Sequence, residues 1–116
     1  MDYVRVAKAA DVPPGRMLAV RAGGEDVVLY NVDGTLHATR DSCTHQNYPL
    51  SKGALHGKYV KCALHFWEYD VTNGQYQGNP AVCVRRYPVK VEGGEVWVGL
   101  EPLPPAPRPL VSRDDA

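Results

Sequence analysis

Only three cysteines, two tryptophans, two methionines and a single phenylalanine occur in 116 residues, and positive and negative side chains cancel to a formal charge of zero. Each scarcity excludes something. With no basic excess there is no electrostatic footprint for a nucleic-acid backbone and no cationic run for a membrane surface. No run of about 18 apolar residues is present, the length needed to cross a bilayer as a helix. The opening stretch, MDYVRVAKAADVPPGRML, lacks the apolar segment of a secretory leader and has no twin arginine. A cytoplasmic protein is expected. Three cysteines in a reducing compartment make no disulfide framework, so metal ligation, catalysis or simple burial are their remaining uses. Also missing are an internal repeat and any stretch that sustains a helical period.

What is there is β-patterned. From Met17 onward, short β-branched runs alternate with glycine turns. The expected strands are YVRVA (3–7), MLAVRA (17–22), DVVLYNV (26–32), TLHATR (35–40), KYVKC (58–62), FWEYD (66–70), CVRRYPVKV (83–91) and EVWVGL (95–100). The turns AGGE, VDGT, SKG, TNG and EGGE punctuate them. This many short strands predicts an all-β sandwich or barrel in a single domain, able to bury about two-thirds of its unfolded surface. Pro88 cannot donate to a ladder, so its strand is expected to bend or to lie at an edge. Three segments read as loops: 42–50, the turn around 62–65, and 77–82. The C-terminal EPLPPAPRPLVSRDDA carries five of the ten prolines and reads as an extended tail over 102–116.

Two of the three cysteines stand just ahead of a histidine. The pattern is Cys43-x-His45, sixteen intervening residues, then Cys62-x-x-His65. Four such ligands in two close pairs point to a metal. Zinc is one reading, since two cysteines and two histidines form a legitimate tetrahedral set. Zinc knuckles usually pair like ligands across two to four residues, however, whereas each pair here is mixed and the first has one residue between. Mixed pairs suit a site in which each loop gives a thiolate to one ion and an imidazole to a neighbouring ion. A [2Fe–2S] centre with two cysteines on one iron and two histidines on the other has that ligand set.

The motifs CTH and CALH, followed by YDVTNG and then by RYPVKVEGGEVWV, resemble the Rieske ferredoxin family over about residues 2 to 100. The resemblance implies a Rieske fold: an antiparallel β-sandwich base, with a small cluster-binding subdomain at its tip formed by about 42–82, all within a domain of 1–101. It implies one [2Fe–2S] cluster, with Cys43 and Cys62 on the inner iron and His45 and His65 on the outer, more exposed one. It also implies an electron carrier rather than an enzyme. The source would be a flavin-containing NAD(P)H reductase, and the sink a terminal oxygenase that hydroxylates aromatic or similar hydrophobic substrates. Most members have glycine directly after the last histidine; this chain has Phe66. The step HFWEYD resembles the ferredoxins of toluene and related aromatic monooxygenases, whose oxygenase is a di-iron enzyme. Ferredoxins of aromatic-ring dioxygenases share CTH and the late strand and remain the alternative. High-potential members carry extra cysteines and a serine where this chain has Tyr48 or its neighbours, Leu64 and Trp67, so a low potential is expected; Tyr69 aligns with a tyrosine that donates to a cysteine sulfur.

Other readings come from other classes. A terminal Rieske oxygenase would need a second, mononuclear-iron domain. A nitrite reductase small subunit resembles the fold but often lacks the ligands, and a structural zinc module would be colourless. His37, in a β-patterned run, and His56, beside a glycine turn, have no ligand partner at useful spacing. Cys83 is expected as a small buried hydrophobe, Trp97 as a sheet residue, Pro80 as a turn or shielding residue, and Trp67 as either core or tip. Both ligand loops are uncharged, 43–50 and 62–67. Partners are therefore expected to dock at the cluster tip through Tyr48, Phe66 and Trp67 around His45 and His65.

Overall fold

The computed structural model describes residues 2–44, 48–63 and 66–104. Within them the first six strands are β1 (Tyr3–Lys8), β2 (Met17–Ala22), β3 (Glu25–Val32), β4 (Thr35–Arg40), β5 (Ala54–His56) and β6 (Tyr59–Lys61). The remaining six are β7 (Glu68–Asp70), β8 (Gln75–Tyr76), β9 (Asn79–Cys83), β10 (Arg86–Tyr87), β11 (Val89–Glu92) and β12 (Glu95–Gly99). They form three antiparallel sheets, ordered β1-β12-β11, β10-β4-β3-β2 and β5-β6-β7-β8-β9. No helix among the described residues is long and apolar enough to cross a membrane.

The residues of β3 explain how three sheets share one small chain. Successive strand side chains point to opposite faces. Val27 and Leu29 enter a core with Ala7, Ala22, Ala38, Val96 and Val98, which joins the first two sheets into the base. Val28 and Tyr30 enter a second core with Leu50, Val60, Tyr69, Val71 and Val84, under the five-stranded sheet. All four are fully buried, so the VVLY run is apolar without alternation because both its faces are covered. Tyr30 satisfies its hydroxyl against the Thr39 hydroxyl at 2.8 Å. Its hairpin to β4 turns at Asp33–Gly34, both with positive φ (52° and 93°), the geometry that matches strand twist in a two-residue loop.

Pro88 does more than bend a strand. The run expected as one strand over 83–91 is three pieces: β9 in the five-stranded sheet, β10 paired to β4, and β11 paired to β12. The chain changes sheet at Pro88, where a missing N–H is no loss. The segment 77–82, expected as a loop, enters β9 at Asn79. The short β5 was not anticipated, because three residues give too little pattern to read. Tail residues 102–104 lie along β10, with the Leu103 N–H donating to the Arg86 carbonyl at 2.8 Å. The rest of the expected tail, 105–116, lies outside the described residues.

Gly53, between the Leu50–Lys52 turn and β5, is demanded by space rather than by torsion, since its φ of −89° suits any residue. A β-carbon there would overlap the carbonyl oxygen of Lys61, the residue that leads into Cys62. Gly53→Ala is expected to lower stability by about 2–3 kcal/mol, because the obstruction is backbone and cannot rotate away. Denaturant unfolding checks this, and an unchanged midpoint would refute it.

Candidate metal centre

Cys43 follows β4 and Cys62 follows β6, and each heads a loop closed in the same way. The Cys43 N–H donates to the Tyr48 carbonyl at 2.7 Å, and the Cys62 N–H donates to the Trp67 carbonyl, also at 2.7 Å. Both closures span five positions. The two cysteine side chains are buried, in the same apolar core. The second loop is the end of the β6–β7 hairpin, whose last pair before the loop is Lys61 opposite Glu68. The first loop is held at its base by a clasp: the Asp41 carboxylate accepts from the Ser51 N–H at 2.8 Å and from the Ser51 hydroxyl at 2.7 Å.

A phenol ties the first loop to β7, the strand that follows the second. Tyr69, fully buried on β7, has its hydroxyl 3.2 Å from the Cys43 sulfur and 2.7 Å from the Thr44 hydroxyl, and it accepts from the Thr44 N–H at 3.1 Å. Desolvation, assisted by the contact with Cys43, raises its pKa to about 12, so it stays a protonated donor through the physiological range. Just beyond, the Asp70 carboxylate accepts from the Thr72 N–H at 2.9 Å and from the Thr72 hydroxyl, and it pairs with Lys58 at 3.3 Å. These bonds build the turn that the sequence writes as YDVTNG.

The other expected residues divide. His45 and His65 lie outside the described residues, as does Leu64. Among the described residues no three of His, Cys, Asp or Glu gather as a further metal site. His37 is half-buried on β4, and burial lowers its pKa against the opposing pull of Asp70. His56 is exposed at the end of β5. Cys83 is half-buried at the end of β9 and lines, with Cys43, Thr44, Arg40 and Leu103, a cleft of about 470 Å³. Trp97 faces away from buried Val96 and Val98, with Lys90 over its ring. Trp67 is half-buried and stacks on Tyr76 at 4.0 Å with the rings 10° apart, packed against the second core. Phe66 is 69% exposed and has a φ of 59°. That left-handed conformation costs a residue with a β-carbon about 1–2 kcal/mol and costs glycine nothing. The glycine that the family resemblance leads one to expect here would therefore have a torsional reason, which the motif alone did not reveal. The Asp41–Ser51 clasp and Thr44 were also not anticipated; partners ten and twenty-five positions apart leave no periodic trace in the sequence.

The sequence pattern of the Rieske [2Fe–2S] domain matches residues 2–88. The chain belongs to the Rieske [2Fe–2S] family. This Rieske chain is 37% identical over 102 residues to the ferredoxin component of biphenyl 2,3-dioxygenase from Rhodococcus jostii, covering 87% of this chain and 95% of that one. It is equally 37% identical, over 105 residues, to the ferredoxin component of the alkene monooxygenase system of Xanthobacter autotrophicus, covering 90% and 86%. Among solved structures it is similar to the ferredoxin of carbazole 1,9a-dioxygenase from Nocardioides aromaticivorans, at 30% identity and a TM-score of 0.80, over 87% of this chain and 100% of that one. A chain in the complex of reduced oxygenase and oxidized ferredoxin in carbazole 1,9a-dioxygenase is 33% identical, with a TM-score of 0.80, covering 87% and 95%.

The group of a Rieske domain is one [2Fe–2S] cluster, ligated by two cysteines and two histidines. The described residues fit it. Two buried sulfurs head two loops of matching closure, and a protonated phenol stands ready to donate to one of them. Sulfur suits iron as a soft donor, and hydrogen bonds to sulfur are a recognised control of cluster potential.

Proposed function

We propose that this Rieske chain is the ferredoxin component of a multicomponent oxygenase. It receives electrons singly from a flavin-containing NAD(P)H reductase and passes them to a terminal oxygenase that hydroxylates an aromatic or similar hydrophobic substrate. Catalysis belongs to the oxygenase, and the setting is cytoplasmic. Cys43 and Cys62 hold the inner iron, and His45 and His65 the outer one, within a cluster-binding subdomain of about 42–82. The observation that carries this reading is the matched pair of loops, each headed by a buried cysteine, in a chain similar to ferredoxin components along nearly their whole length.

When bound, the cluster supplies a one-electron couple. The chain supplies its surroundings. Val60, Leu50 and Val71 exclude water from the sulfur side, and Tyr69 offers its proton to Cys43. Partners dock at the tip, around His45 and His65, on a surface that includes Tyr48, Phe66 and Trp67; a solved complex of reduced oxygenase and oxidized ferredoxin, with a chain similar to this one, supports an oxygenase as the partner. Both loops are uncharged. The Lys61 and Glu68 flanks of the second loop face each other at 3.7 Å.

Reconstitution tests the reading. NAD(P)H and the reductase are expected to bleach the visible spectrum of the ferredoxin, and the oxygenase to restore it with formation of hydroxylated product. Rates should change little with ionic strength, because the docking face carries no charge for salt to screen. Product formed at an undiminished rate without this chain would refute the assignment. Relatives from dioxygenase and monooxygenase systems stand at the same identity. We favour the di-iron monooxygenase on the aromatic HFW step, and parallel assays with the two oxygenase types decide it.

A further inference from the structure

Phe66 holds a large apolar ring in water at a backbone position where glycine would be unstrained. Of the three large hydrophobic residues exposed among the described residues it is the most open, at 69% against 49% for Val91 and 37% for Leu100. It is also one of two non-glycine residues there with positive φ. The other, Asp33, sits in a hairpin turn that aspartate readily accepts. The Phe66 ring belongs to neither core, while its neighbour Trp67 packs on the second core and stacks on Tyr76. Strain kept without a folding return is a mark of function.

We infer that Phe66 is the anchor that seats in an uncharged apolar pocket of the terminal oxygenase, while Trp67 is the platform that holds the loop beneath it. The inference rests on the electron-carrier reading above and adds the residue that makes the contact. A second copy of this chain is a poor occupant: one aromatic ring buries about 150–250 Å², far short of the roughly 800 Å² per partner of a stable interface. A single anchor suits instead a brief electron-transfer encounter, which lies at the small end of interface sizes. The uncharged loop on either side of Phe66 fits a pocket without charge, since a charged pocket wall would be desolvated against it unpaired.

The test uses cluster-loaded ferredoxin and a purified terminal oxygenase that accepts its electrons. Phe66→Gly removes ring and strain together. It is expected to melt at or above the parent temperature and to keep iron, sulfide, spectrum and potential, while binding the oxygenase about thirtyfold more weakly. Phe66→Leu should recover most of that affinity, and Phe66→Ala should bind as weakly as glycine but melt lower than it. Trp67→Ala should behave oppositely, with a lower melting temperature and poorer cluster retention. Parent-like binding by Phe66→Gly overturns the inference. So does a Phe66→Gly variant that melts lower and loses iron, or one slowed only in its reduction by the reductase, or a parent dimer that the variant abolishes. A parent ferredoxin that delivers electrons to no terminal oxygenase refutes the functional reading itself, and this is seen before any variant is compared.

Discussion

Alanine at Cys43 or at Cys62 is expected to abolish the iron and acid-labile sulfide of the purified protein, which in the parent should each approach two per chain by the formula of the centre. The visible colour and the low-average-g resonance of the reduced state should vanish with them. Alanine at Cys83 should leave all of these in place. The contrast follows from position: Cys43 and Cys62 are both buried in one core at the heads of two closed loops, whereas Cys83 is half-buried at a strand end. The variants should still fold. Leu50, Val60, Val71 and Tyr69 remain to fill the second core, and the base has a core of its own. Loss of one buried sulfur is expected to cost about 1–2 kcal/mol through the cavity it leaves, a small penalty beside the all-or-none loss of the cluster. Metal analysis, electron paramagnetic resonance and circular dichroism check the set. A Cys43→Ala protein with full iron and sulfide, or a parent that holds stoichiometric zinc after anaerobic cluster loading, would overturn the ligand assignment.

Tyr69→Phe should lower the reduction potential by about 40 mV and destabilise the fold. An iron-bound sulfur carries no proton, so the bond between Cys43 and Tyr69 then runs from the phenol to the sulfur. The Thr44 N–H donates to the same phenolic oxygen, whose own proton is then the one given to an acceptor. A donor to sulfur stabilises the added electron. If the bond strengthens by about 1 kcal/mol on reduction, the one-electron couple shifts by about 40 mV, since 59 mV corresponds to a factor of ten. Removing the hydroxyl also breaks its bonds to the N–H and hydroxyl of Thr44, which is exposed to water, so the loss is about 0.5–1.5 kcal/mol for each bond. The parent potential should lie near the low end of the Rieske range, about −150 to 0 mV, because the family resemblance sets Tyr48 or its neighbours, Leu64 and Trp67 where high-potential members carry extra cysteines and a serine. Protein-film voltammetry and thermal melts read both effects. An unchanged potential in Tyr69→Phe, or a parent midpoint above about +200 mV, would contradict this account of the donors.

The strands and turns were legible where the information is local. β2 and β4 begin and end where alternation and the flanking turn residues place them, and Asp33–Gly34 is a hairpin by its own torsional chemistry. Pro88 marked a break, but the sequence did not say that β10 and β11 belong to different sheets, because sheet membership depends on which distant strand supplies the ladder. The first and second cysteines were legible as a pair from spacing and residue type. That their loops close by matching hydrogen bonds was not, since backbone closure leaves no mark on side-chain identity.

Composition, turn chemistry and the two Cys/His pairs thus pointed by themselves to an all-β chain resembling the Rieske family, with two loops as its candidate metal centre. Each of those signals is carried by residues within a few positions of one another. Only the tertiary structure decided that β3 serves two cores, that the sulfur expected for Tyr69 is that of Cys43, twenty-six positions away, that Asp41 clasps Ser51, and that Phe66 rather than Trp67 stands open to solvent in a left-handed conformation. These depend on where folding brings distant segments and on which face of a loop remains uncovered, and neither quantity has a period or a spacing that a linear sequence can display.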